Sequence, residues 1–435
     1  MKKINVHEII GKGRLQGVLL RVFLVCLLIG VCDGYCMYIF GVTGVSIQGD
    51  LGFTPVEAGI INSYATWGMT AATALVGLVA DKIGRKRVLI FCVICYSIFT
   101  ALTGFATEMW QFAIVRFASG IGMAGIVPVG VATTSEYSPL KNRALLCSLV
   151  AMGVSLGMLF AGLAALWFLP VVSSWRSLYY VAFVALILAI AALSLPESMK
   201  ILIQKGKRAE IEKTLTSANS EFTPSAEMEY TTDAAAPTKR VPWTQIFAPN
   251  VRRNTICVWL MYFCNMCIIY GAGTWLPGIM SNAGYAVSSG ILLFVVFSVG
   301  SMVFTPVAGK LVQKFGYKKV MVIQYAITFV TLCLFGLSKN MTISTILIFL
   351  AGGAANSIQT VIQPFAGHFY SLDIRTTGIS WGVTMGRLGS AVAPIALGFL
   401  VAANVSLQVS FFAVAAFALI GGAALCFTQE RGASM

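Results

Sequence analysis

The stretch "GLVADKIGRKRV", residues 77–88, sets five charged side chains into twelve residues between two long apolar runs. A second stretch, "GKLVQKFGYKKV" at 309–320, matches it at five of twelve positions after an interval of 232 residues. The first copy poses a question about solvent, because charge that dense belongs outside the medium that the flanking runs prefer.

Composition identifies that medium. Of 435 residues, 58% are hydrophobic and 11% charged, whereas soluble domains carry roughly 25% charged residues. The mean hydropathy is +0.84. A bilayer core of ~30 Å needs ~20 helical residues, and the chain offers twelve such runs: 18–43, 57–80, 88–106, 110–134, 144–168, 177–195, 254–280, 287–312, 319–337, 342–367, 376–402 and 406–427. The expectation is an all-α membrane protein with 12 transmembrane helices. Lys2, Lys3, Lys12 and Arg14 precede a first run too long for a cleaved leader, which reads as an anchor.

Basic residues collect on the cytoplasmic side of membrane proteins. Of 30 Lys and Arg, Arg176 and Lys339 fall on one side, Arg116 and Arg387 lie within spans, and the remaining 26 fall on the other side or its edge. Both termini and the central loop are therefore expected in the cytoplasm, with the chain in the cell (inner) membrane. The net charge of +14 reads as this topology signal, not as a nucleic-acid surface. All eleven cysteines fall in apolar runs. "CVIC" at 92–95 and "CNMC" at 264–267 have the spacing of metal or redox pairs, yet in such runs Cys serves as a small hydrophobe, so no metal is expected.

Residues 196–250 are the one long polar interruption, read as a linker with a short amphipathic helix. Six runs precede it and six follow, which divides the chain into a bundle at 1–195, a cytoplasmic loop at 196–250 and a bundle at 251–435. The 232-residue interval holds elsewhere: Asp33 falls on Asn265, Gly77 on Gly309, Gly84 on Gly316, Glu136 on His368 and Arg143 on Arg375. Independent helices have no reason to keep one register. Parallel repeats of six helices place a substrate site near the midplane, where the repeats face each other.

The chain resembles the major facilitator superfamily over nearly its whole length. "GLVADKIGRKRV" is similar to that family's G-x-x-x-D-R/K-x-G-R-[R/K] signature, and "SEYSPLKNR" at 135–143 to its E-x-x-P-x-x-x-R element. A tight cytoplasmic loop alone would gather Arg85, Lys86 and Arg87. Gly77 and Gly84 suit a close helix approach and a sharp turn, and Asp81 suits a specific pairing. The resemblance implies a gate in which this loop pairs with the opposite half to hold the outward-facing state and parts during transport, with Glu136 and Arg143 as partners and Gly309, Lys314, Gly316 and Arg375 as the second copy. The fold implied is two parallel six-helix bundles.

Three ionisable residues lie deep in spans: Asp33, Arg116 and Arg387. A charge at the bilayer centre costs at least ~2.5–3.5 kcal/mol on insertion scales, so such residues line cavities, pair, or carry protons or substrate. Asp33, in "CDGYC" on the first span, and Arg116, in "RFASGIG" on the fourth, are expected to pair, either as a structural ion pair or as a proton switch set by their separation. Arg387 shares a helical face with Ser380 and Thr384, and Asn356, Gln359 and Gln363 share another on the tenth span. Polar stripes avoid lipid. With Asn265, Tyr35, Tyr64, Trp67, Tyr262, Tyr270, Trp275 and Trp381 they form the candidate substrate set, although aromatics in spans also serve packing and interface anchoring. Arg suits bidentate carboxylate binding, and a small aromatic or unsaturated organic acid fits such a cavity.

"DGYC" at 33–36 is similar to the D-G-[F/Y]-D element of the aromatic acid:proton symporters, and "GISWGVTMGRLGSAVAP" at 378–394 to their eleventh-span pattern. Cys36 stands where the second Asp of that element would be. The resemblance implies proton symport by alternating access, with no cofactor beyond the coupling proton and a protein working as a monomer among lipids. A sugar, nicotinate-like or dicarboxylic acid porter is the alternative. The fifth span, "AMGVSLGMLFAG", lacks the Gly-Pro pair of drug:proton antiporters. An enzyme would need a nucleophile, acid–base pair or metal set in mutual reach. The spans show none, and His7 and His368 fall outside them. A sensor would be expected to carry an output domain larger than the central loop.

Overall fold

The computed structural model describes residues 2–219, 222–225, 228–232, 243–249 and 251–429. Its long helices are α2 (Gly17–Leu51), α3 (Pro55–Ile83), α4 (Arg85–Thr103), α5 (Met109–Met123) continued by α6 (Ile126–Glu136), α7 (Arg143–Val172), and α8 (Arg176–Tyr180) continued by a 3-10 turn and α9 (Ala185–Leu193). After the central segment come α12 (Arg252–Asn282), α13 (Val287–Phe315), α14 (Tyr317–Leu337), α15 (Met341–Gly367), α16 (Leu372–Ala402) and α17 (Leu407–Cys426). Among the described residues, eleven helical stretches are long and apolar enough to cross a membrane. The 29-residue α3, about 43 Å long at helical rise, packs among them against α5 and α16.

Local chemistry sets the ends of these helices. Thr54 and Glu57 cap α3 reciprocally, with Pro55 at the first helical position, so the helix starts where the donors are satisfied. Gly84, at φ +107°, and Gly316, at φ +82°, make the two charged turns, a backbone region open mainly to glycine. The turns expected of both copies of the opening stretch are present.

The duplicated register extends to helix contacts. A methyl group on Gly68 would collide with the Phe117 carbonyl oxygen, and one on Gly300 with that of Phe349. Likewise Gly157 lies against the Val31 carbonyl and Gly389 against that of Phe263. Each second pair sits 232 residues after the first. Within each helix set α2 packs on α7 and α3 on α5, as α12 does on α16 and α13 on α15. Between the sets, α3 packs on α16 and α13 on α7, again as symmetric equivalents.

The two helix sets meet mainly on the side away from the chain ends, here called the far face. Ser63 Oγ donates to the Ala391 carbonyl at 2.6 Å and Asn62 Nδ2 to Thr274 Oγ1 at 3.2 Å. Gly59 faces the Pro394 carbonyl, Gly398 that of Pro55, and Gly162 the side chains of Phe294 and Val295. The terminal face carries the first and last described residues, Lys2 and Gln429. There the first residues and the central segment form structure that the sequence reading did not anticipate. Strands β1 (Lys2–Asn5) and β2 (Met228–Thr231) pair in parallel, so the chain is not purely α. Helix α1 (Val6–Lys12) buries Val6 and Ile10, and packs on α11 (Arg208–Ala218), which follows the short α10 (Met199–Gln204). The amphipathic helix expected of the linker is α11, burying Ile211 and Leu215.

Candidate functional site

Asp33 lies near the middle of α2 and is 1% exposed, its Oδ1 without a hydrogen-bond partner. The expected ion pair with Arg116 is absent among the described residues, and the cation within electrostatic reach of Asp33 is Arg387, from the other helix set. Arg116 lies over the Phe40 ring at 5.1 Å and donates from Nη2 to Asn62 Oδ1 at 3.2 Å. Phe40 shares the Asp33 face of α2 but sits seven residues, or about 10 Å, nearer the far face. Arg116 is therefore a level away from Asp33, buried, with Nε and Nη1 unpartnered.

Arg387 is half-buried on α16; Nη1 reaches Met69 Sδ of α3 at 3.5 Å and Nε has no partner. Among the described residues the ion pairs within 4 Å involve Arg85, Arg176, Lys207 and Arg208, so Arg387 is not in one. Tyr38 and Tyr270 lie within electrostatic reach of both Arg387 and Asp33. Those rings stack at 5.9 Å, Phe294 lies 6.2 Å from Tyr38, and the Tyr270 hydroxyl meets Met37 Sδ at 3.3 Å. The result is a midplane site with one cation, one carboxyl, aromatic faces and two thioethers. On α12, Asn265 donates to Gln359 Oε1 at 3.0 Å and keeps its own Oδ1 unpartnered.

The remaining candidates separate. Tyr64 and Trp67 line a groove with Thr70, Ala71 and Phe117, because at 100° per residue they sit about 140–160° round α3 from Asn62. Tyr35, two positions from Asp33 and so on another face, donates to the Leu178 carbonyl at 2.8 Å. Trp381 packs against Trp259 at 6.0 Å, in a cluster with Ile246, Tyr370 and Ile374. Tyr262 is buried against Gly382 and Gly386 with its hydroxyl unpartnered. Asn356 and Thr384 bond to their own helices, at the Gly352 and Ser380 carbonyls, and Gln363 and Ser380 are exposed. Trp275 lines a small far-face cavity with Phe40, Gln48, Asn62 and Thr274.

Sequence reasoning missed Tyr38, Met37, Met69, Asn62, Thr274 and Phe294. Asn62 is a lone amide in an apolar run, a signal comparable to those that marked Asn265, but the aromatic residues beside it drew the assignment. The methionines carry no such signal.

At the terminal face Arg85 Nη1 pairs with Glu136 Oε2 at 2.6 Å. Glu136 also accepts from Ser198 Oγ at 3.0 Å and Met199 N at 2.7 Å. Glu197, a residue given no role from sequence, sits against Gly84 and accepts from Lys86 N at 3.3 Å, while Lys86 Nζ reaches the Leu193 carbonyl. These contacts join the first helix set to the start of the central segment. Gly77 and Gly309 differ from expectation, since a methyl group on either would meet nothing within 4 Å. They make no close approach in this state. Arg87 is exposed, Arg143 keeps a buried Nε without partner, Lys314 lies over Phe315 at 5.3 Å, and Arg375 packs near Gly367. The Asp81 side chain lies outside the described ones. In the second copy His368 replaces Glu136 and its ring packs on Tyr317 at 4.9 Å, so the anionic clasp has no counterpart there.

Comparison with known proteins places this geometry. A benzoate transport protein from Acinetobacter baylyi is 28% identical over 437 residues, covering 99% of this chain and 94% of that protein. A gentisate transporter from Corynebacterium glutamicum is 28% identical, with 98% and 89% covered, and a 4-hydroxybenzoate transporter from Pseudomonas putida is 28% identical, with 89% and 88% covered. The crystal structure of a D-xylose-proton symporter superposes with a TM-score of 0.73 at 16% identity, covering 96% of this chain and 100% of that one. The sequence profile of the Major Facilitator Superfamily matches residues 26–295 and 258–434, and the chain belongs to that superfamily.

Proposed function

We propose that this protein carries a small aromatic acid across the cell membrane together with a proton, by alternating access. The observation that carries the reading is Arg387: a half-buried guanidinium at the midplane, outside every described ion pair and beside the stacked rings of Tyr38 and Tyr270. A partly buried cation outside any ion pair is unfavourable, and a substrate carboxylate is its natural complement, with the rings taking the aromatic face. Relatives that carry benzoate, gentisate and 4-hydroxybenzoate in their names support this substrate class.

Coupling follows from the Asp33–Arg387 relationship. Asp33 is the buried carboxyl within electrostatic reach of Arg387, so a substrate carboxylate on Arg387 and a proton on Asp33 together leave the site without uncompensated charge. Substrate anion and proton thus load together. The helix sets are closed at the far face, which corresponds to an inward-open state with the terminal face in the cytoplasm, and the chain acts as two bundles at 1–195 and 251–435. The test is uptake of radiolabelled benzoate into proteoliposomes under an imposed proton gradient. Accumulation that collapses with a protonophore supports the reading; equal uptake with and without the gradient removes the symport part.

A further inference from the structure

Two donors at the midplane site, besides their contacts with one another and with Tyr38, each reach a sulfur of the other helix set. Arg387 Nη1 lies 3.5 Å from Met69 Sδ, and the Tyr270 hydroxyl lies 3.3 Å from Met37 Sδ. Both methionines come from the first helix set, Met69 on α3 and Met37 on α2, whereas both donors come from the second. A thioether is a weak acceptor on an unbranched chain that changes rotamer easily. A guanidinium next to an oxygen acceptor would be held firmly; next to sulfur it is held only in place. Met69 is 2% exposed and Met37 8%, so these side chains fill the space beside the donors.

We propose that Met69, with Met37, is a stand-in acceptor: it occupies the carboxylate position on Arg387 in the empty site and is displaced when a substrate carboxylate binds. This rests on the reading of Arg387 as the carboxylate anchor. It adds that the displaced contact is one that crosses between the helix sets. When the acid takes Arg387, α3 loses its midplane hydrogen bond to α16, next to the far-face contacts Ser63–Ala391 and Gly59–Pro394. Occupancy of the site is thereby transmitted to the surface that must part. Met69 is a positioning and specificity residue: a ligand without a strong anionic acceptor does not displace it.

The test compares benzoate with benzamide, by titration of wild type, Met69→Leu and Met69→Gln in nanodiscs. Leucine keeps the volume and removes the acceptor, so benzoate should bind about 2–10-fold tighter. Glutamine supplies a stronger acceptor, so benzoate should bind at least about 5-fold weaker. In wild type carrying 13C-methyl methionine, the Met69 resonance should shift on adding benzoate and stay in place with benzamide, an arm that requires only assignment and no variant for binding. Weaker benzoate binding in Met69→Leu, no change in either variant, or a Met69 resonance unmoved by benzoate overturns the proposal. If wild type does not prefer benzoate over benzamide, the anchor reading itself fails. If wild type shows that preference and the Met69 measurements do not follow, only the stand-in role falls.

Discussion

Arg116 and Asn62 are joined by a 3.2 Å hydrogen bond, and Asn62 passes on to Thr274 of the other helix set at 3.2 Å. Thr274 in turn donates to the Tyr270 carbonyl, so a buried cation on one side of the far-face interface is tied to the backbone that carries a site tyrosine. Replacing Asn62 with Leu leaves the Arg116 guanidinium with no hydrogen-bond partner at Nη2 and removes the bond to Thr274. A lost bond to a buried charged group costs about 1.5–3 kcal/mol. The variant should melt several degrees lower in detergent, and a cysteine placed at position 59 should become more reactive to a thiol reagent from the far face. Unchanged melting and reactivity would show that the relay does not hold the interface.

Glu136 draws together Arg85, Ser198 and Met199. Glu136→Gln keeps the shape and removes the charge; because Arg85 is partly exposed, the pair contributes only about 1 kcal/mol to stability. Folding should survive, while uptake falls as the end of α6 loosens from α4 and α10. Uptake at the wild-type rate would mean that the clasp is not part of the transport cycle.

The two glycines of the opening stretch should respond differently to alanine. Gly84 has φ +107° and Glu197 within 2.5 Å of where a methyl group would sit, so Gly84→Ala should cost about 1–3 kcal/mol through backbone strain alone. Gly77 has open space, and Gly77→Ala should leave melting unchanged. If its uptake drops all the same, Gly77 is used in the opposite conformation. Equal melting losses in both variants would contradict the geometry.

Asp33→Asn preserves volume and removes the titrating group. Benzoate accumulation driven by a proton gradient should disappear, while exchange of labelled for unlabelled benzoate continues. Protonophore-sensitive accumulation by this variant would place coupling on another residue.

The sequence made the architecture readable because it is written twice: the 232-residue register located both charged turns, and the same register reappears in the glycine contacts at 68 and 300 and at 157 and 389. Asp33 and Arg387 were legible because charge is expensive in lipid. Their mutual relationship was not, since helical spacing orders residues along one helix but not across the bundle. Asp33 was matched to Arg116 of its own half, whereas packing places Arg116 about two helical turns away. Tyr64 and Trp67 show the complementary failure: an aromatic in a span looks the same whether it faces a cavity or the outer groove of α3. Met37 and Met69 carry no pattern that distinguishes them from ordinary core methionines. The β1–β2 pair unites residues 2–5 with 228–231, a non-local contact that no local periodicity announces.

Arg387 is the proposed anchor of the substrate carboxylate. Charge-assisted bonds of that kind contribute about 1.5–3 kcal/mol, so Arg387→Ala should weaken benzoate binding by about 10–150-fold, and Arg387→Lys should recover only part, because an ammonium cannot form two parallel bonds. The most direct measurement is the affinity of wild type and Arg387→Ala for benzoate and for benzamide in the same membrane preparation. Wild type should favour benzoate, and the variant should lose this preference while its benzamide affinity stays constant. Equal binding of both ligands by wild type, or loss of both by the same factor in the variant, would contradict it.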